Sequence, residues 1–122
     1  MSCFFDSIFS RLTTDQKKAV GKNSASLPRY FASSNRETPL VRCNGLTLSK
    51  QQLKENVSHV KTMANHNVSS GYLTSFYEPY FYLSCELFRV NIVFKYRGHV
   101  ARFTKVGNTL NWSFSASASH IA

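Results

Sequence analysis

Arg89, Lys95, Arg97 and Arg102 are spaced so that, on β-strands, they fall on one side of a sheet, where guanidinium and ammonium groups can meet phosphates at fixed separations. Asn91, Thr104, Asn111, Ser113 and Ser115 share that side and can hydrogen-bond phosphate or sugar, with Lys105 following at a strand end. Phe88, Val90, Ile92, Phe94 and Tyr96 occupy the alternate positions, so the other side is apolar. No acid follows Glu86, which leaves this stretch uniformly positive and without a carboxylate to act as general base or metal ligand. The chemistry it suggests is holding phosphates, not cleaving them.

The groups that could do more are scattered. His59 and His66 are seven residues apart, too far for an HxxxH metal pair. Glu55 and His59 have the i,i+4 spacing of a helix surface pair. His99 reads as a turn residue, and strand parity sends it to the apolar side while Arg102 goes to the other. A small ribonuclease site, the catalytic reading to test, is therefore not assembled by this pattern. Cys3, Cys43 and Cys85 are far apart, odd in number and free of any CxxC, so neither a zinc site nor a disulfide framework is implied. There is no glycine-rich phosphate loop or nucleophile elbow. Expected catalytic residues, metal and cofactors are accordingly none.

The elements that must position the cations are three strands over residues 88–116, read as an antiparallel meander. A tight turn at Arg97-Gly98 places Phe94 opposite Ala101 and Ile92 opposite Phe103. A second at Gly107-Asn108 places Phe103 opposite Trp112, Ala101 opposite Phe114 and Lys105 opposite Leu110. Both registers keep the apolar sets on one face, and a one-residue slip would mix the faces.

The cover for that face is expected to be a helix over 50–65. Ser49 and Gln52 have capping-box spacing, Leu48 and Leu53 can form a hydrophobic staple, and Leu53, Val57, Val60 and Ala64 make one stripe. Residues 65–71 should end it. Residues 72–87 are dense in aromatics. Pro79 there suggests the start or edge of a strand or the opening of a short helix, and Phe81, Leu83, Cys85 and Leu87 alternate in a phase opposite to Phe88 onward. A bulge near Leu87 and Phe88 would reconcile the phases. The Ser/Ala-rich tail should fray past Ser117.

At the N-terminus, Phe4, Phe5, Ile8, Phe9 and Leu12 form a helical stripe, and Thr13 with Gln16 begins a second short helix through Val20. The stripe packs onto the domain or, in a sharper reading, docks a partner through Phe4, Phe5 and Phe9. Residues 21–45 read as a long loop, with Pro28 and Pro39 opposing helix, either mobile or pinned by Leu27, Tyr30, Phe31, Leu40 and Val41. The chain thus divides into an N-terminal segment over 1–45 and an α+β core over 46–122: a helix on an antiparallel meander of three to five strands, with short N-terminal helices and a long loop.

Fifteen Lys and Arg against six Asp and Glu give a formal charge of +9 in 122 residues, which favours a polyanionic partner. Non-catalytic binding of nucleic acid is the leading expectation, RNA or single strands with little sequence preference, since no recognition helix is evident. Only Tyr77, Tyr80 and Tyr82 offer rings for base stacking. The alternative is a protein-interaction or inhibitor module, of the kind a virus or mobile element encodes, docking through aromatic surfaces or a sheet edge. The strand over 109–116 would also serve as a homodimer edge. No transmembrane run is present, and free thiols suit a reducing, intracellular compartment, the cytoplasm first. A mitochondrial reading stands beside it, because residues 1–31 are amphipathic, Ser-rich and poor in acid.

Overall fold

The computed structural model describes residues 3–64 and 74–116. The expectations for 65–71, Tyr72, His66, His120 and the tail past Ser117 lie outside the described residues. So do those for the side chains of Cys3 and Phe76. The fold is α+β: among the described residues, five α-helices and one short 3-10 turn accompany a five-stranded, mostly antiparallel sheet.

Helix α1 spans Cys3–Arg11 and α2 Thr14–Val20. The capping box at Thr13 and Gln16 is complete in both directions, at 3.2 Å and 2.9 Å. Gly21 ends α2 at φ +144°, where a Cβ would come within 2.6 Å of Ser26 Cβ, so only glycine fits. Residues 21–45 are more structured than expected. A 3-10 turn over Ser24–Ser26, capped by Asn23, leads into α3 at Leu27–Ser33. Pro28 does not oppose this helix. It stands in the first turn, where no intrahelical N–H partner is lost and its fixed φ suits the start. Leu27, Phe31 and Val41 are buried, while Leu40 is exposed.

Strands β1 (Arg42–Cys43) and β2 (Leu46–Thr47) form a minimal hairpin across Asn44-Gly45, both at positive φ, as such turns require. Helix α4 then runs Lys50–Met63 from the expected Ser49–Gln52 capping box. Its Leu53 and Val60 are buried, but it packs on α3 and on the next helix and is not the principal cover of the sheet.

That cover is α5, Thr74–Leu87, which replaces the expected strand and bulge. Tyr77, Tyr80, Phe81, Tyr82, Leu83 and Cys85 are all buried. Those residues point around nearly the whole helix, with Glu78 the one exposed residue from 77 to 85, so there is no amphipathic period to read. Pro79 lies inside it. The phase change at Leu87 and Phe88 is a helix end: Phe88 N–H donates to Ser84 O at 2.9 Å, and Arg89 takes φ +56°, the left-handed residue that commonly stops a helix.

Strands β3 (Val90–Tyr96) and β4 (His99–Thr104) pair as expected across Arg97-Gly98, with Ile92 opposite Phe103 and Phe94 opposite Ala101. Strand β5 (Leu110–Ala116) does not form a hairpin with β4. It crosses the start of β3 and pairs parallel to it on the far side, so Trp112 lies beside Ile92 and Phe114 beside Phe94. The sheet order is β2-β1-β4-β3-β5. The turn at Gly107 is real, but it is Lys105–Asn108, closed by Asn108 N to Lys105 O at 3.0 Å with Gly107 at φ +96°.

Two asparagines fasten this crossing. Asn108 Nδ2 donates to Cys85 O and Val90 O, both at 3.0 Å. Asn91 Nδ2 donates to Asn108 O at 3.1 Å, and Asn91 Oδ1 accepts from Lys105 N at 3.2 Å.

One apolar core joins both expected segments, from Phe4 and Leu27 to Phe103 and Phe114. Phe81 sits at its centre, its ring about equidistant from Phe94, Phe103 and Phe114 at 5.1, 5.2 and 5.2 Å. Phe4 stacks on Tyr77 at 4.2 Å. The α1 stripe is thus core: Phe4 and Phe5 are 0% and 4% exposed and cannot be docking anchors, and Phe9 packs partly buried beside them. Ser24 Oγ donates to Asp6 Oδ1, tying α1 to the 3-10 turn.

Candidate functional site

The sheet has one covered face and one open face. Register decides which residue goes where, since paired residues share a face. On the open face Arg42 is flanked by Thr47 and Thr104, Arg102 stands beside Val93, and Val93 beside Ser113. Lys95 lies between Val100 and Ser115, and Asn91 beside Asn111. Every one of these residues is exposed or half-buried, and no described element packs over them. None of the five strands carries an acid.

The expected cations fare differently. Lys95 and Arg102 are exposed on the face. Arg97 is exposed in the β3–β4 turn at φ +47°, with its guanidinium 5.4 Å from the Tyr96 ring centre. Arg89 is exposed at the α5–β3 junction, before β3 begins. The eight-residue run to Arg97 separates the two by about 26 Å at strand rise, so they cannot hold one group together.

Lys105 is not available. Its Nζ lies 2.9 Å from Glu86 Oε1 and its side chain is only 23% exposed. Arg36 approaches the same carboxylate at 3.8 Å. Asn91 is committed as well, since its amide fastens the crossing and reaches Asn111 Oδ1 at 3.4 Å. Asn111 is exposed. The three tyrosines expected to stack on bases are 2%, 0% and 3% exposed and belong to the core. Burial pushes the Tyr80 phenol up to about 12.

Arg42 was missed by sequence reasoning because residues 21–45 read as loop. The signal was present: Asn44-Gly45 is a hairpin dipeptide, and two residues on either side pair around it. Arg42 is exposed, and one guanidinium nitrogen donates to Gly45 O at 3.2 Å. Asn44 locks this hairpin to β4: its N–H donates to Arg102 O and its Oδ1 accepts from Arg102 N, both at 2.8 Å.

The remaining reactive groups sit under the covered face or apart from it. Burial raises the Cys43 thiol, and raises Cys85 to about 12, with Cys85 Sγ 3.7 Å from Phe103 O. Neither is primed as a thiolate nucleophile at neutral pH. His99 opens β4 opposite Tyr96, on the opposite parity to Arg102. His59 packs edge-on against Tyr80 in the helical layer. Among the described residues no cluster of His, Cys, Asp and Glu could hold a metal ion, and no helix is long and apolar enough to cross a membrane.

The far edge of the sheet has its own guard. Arg11 of α1 donates to Ser7 O at 2.7 Å and to Ser113 O of β5 at 2.6 Å, while its guanidinium lies 4.1 Å over the Phe114 ring. A second chain pairing with β5 would have to displace it.

The chain matches no known family model, no curated protein and no solved structure.

Proposed function

We propose that this protein binds nucleic acid without catalysing its chemistry, taking RNA or single strands by their phosphates on the open sheet face. The observation that carries this reading is the face itself: Arg42, Lys95 and Arg102 project from paired strands that hold no acid. Their backbones are fixed by the ladder, so the charges are presented without an ordering cost for the chain. Asn111, Thr104, Ser113 and Ser115 add hydrogen-bonding groups beside them. No ring is exposed on this face, so bases go unread and sequence preference is weak. Arg97 extends the positive surface into the turn, whereas Arg89 lies beyond it and Lys105 is neutralised by Glu86.

The test is fluorescence anisotropy of labelled single-stranded RNA over a salt series. Binding at low salt that weakens steeply as salt rises is expected, because each neutralised phosphate releases counterions. Lys95→Glu with Arg102→Glu should reduce affinity at least tenfold while leaving the thermal melt in place. Absence of binding at low salt, or a double variant that binds like the parent, would refute the reading. So would binding to anionic lipid vesicles in preference to RNA.

A further inference from the structure

The registers of three strands can be combined into one map of the open face. Arg42 pairs with Thr104, two residues along β4 from Arg102. Arg102 pairs with Val93, two residues along β3 from Lys95. Strand β4 runs antiparallel to both neighbours, so the two offsets have the same sense. Arg42, Arg102 and Lys95 therefore fall on one straight diagonal, each on its own strand and each about 7–8 Å from the next, the usual diagonal separation in a sheet. Arg97 lies off this line, just past the same end of β3 as Lys95, in the turn that leads back to β4.

We infer that this diagonal is the path of the bound strand: one extended single-stranded polynucleotide crosses the sheet along Arg42, Arg102 and Lys95, one phosphate to each, with Arg97 beside the Lys95 end. The inference rests on the proposed function and adds to it a footprint, a direction and a choice between single strand and duplex. A single row of charges suits a single backbone. A duplex presents two backbones separated by a groove, and its second backbone would meet only uncharged residues, Asn91, Val93, Thr104, Asn111, Ser113 and Ser115 on one flank or Thr47 and Val100 on the other. A lipid surface would favour charges spread across the whole face. The long side chains of arginine and lysine absorb the small mismatch between their spacing and that of successive phosphates.

The experiment uses the full chain and a labelled oligouridylate of about eight nucleotides, within the range one small domain covers. A steep salt slope is expected for the parent, near −2 to −3 for three or four phosphates at about −0.7 each. Arg42→Gln, Arg102→Gln and Lys95→Gln should each flatten it by about 0.7 and by similar amounts. Lys54→Gln, in the helical layer, should leave it alone. Duplex RNA of equal length should bind at least tenfold more weakly.

Failure of the inference is separable from failure of the function. If the oligonucleotide binds but Arg42→Gln keeps the parental slope, or if duplex binds as well as single strand, the diagonal is wrong and the reading of the face survives. If nothing binds at low salt, both fall. The three positions are exposed, so thermal melts of the variants should match the parent, and a variant that melts early is replaced by the Lys or Arg exchange at the same position, which should restore the slope.

Discussion

Helices α4 and α5 have the same length, 14 residues, and opposite legibility. Helix α4 lies at the surface, with a capping box, one buried stripe and its lysines towards water. Helix α5 lies in the middle, buried over most of its described turns, and carries a proline. The difference teaches that periodicity reports a boundary between core and water. A helix that has core on nearly every side crosses no such boundary and loses the signal.

The comparison can be broken most decisively at Phe81. It is fully buried and central to the ring cluster, so Phe81→Ala should cost about 3–5 kcal/mol and remove much of the cooperative melt. A cost like that of a surface site would mean that α5 is not the centre of the core. The next contrast is alkaline. On α5, burial raises the Cys85 thiol to about 12 and the Tyr80 phenol to about 12. The folded state holds these protons more tightly than the unfolded chain does. Their contribution is therefore complete below pH 9 and is lost as pH rises from 9 towards 12. Melting temperature should fall across that window, and Cys85→Ala should remove the portion that begins near pH 9. The smallest effect belongs to α4: Ser49→Ala should cost about 1 kcal/mol in a denaturant melt, since it removes one cap from one end. A larger loss would show that α4 supports the core more than its packing implies.

The same distinction explains what the sequence disclosed of the site. The β3–β4 register was legible because Arg97-Gly98 can adopt a tight turn and the alternation on each side agrees with it. The partner of β5 was not legible. Trp112 and Phe114 face the core whether they pair antiparallel with β4 or parallel with β3, so alternation cannot choose between them. The crossing is fastened by Asn91 and Asn108, the first of which reads as an outer-face residue and the second as half of a hairpin turn. Arg42 was hidden for another reason. A strand of two residues has no period at all, and only the Asn44-Gly45 turn betrays it. Lys105 was overestimated because its acid, Glu86, lies nineteen residues away on α5.

Arg11 gives the N-terminal helix a duty that composition does not suggest. With its guanidinium on Ser113 O and over Phe114, it acts as a stopper on the only long sheet edge among the described strands. Shortening the chain from its N-terminus past α1 would uncork that edge together with the aromatic floor beneath Phe4. The trimmed protein should then be sticky, recruiting copies of itself strand to strand, and a soluble preparation depends on leaving those first residues in place.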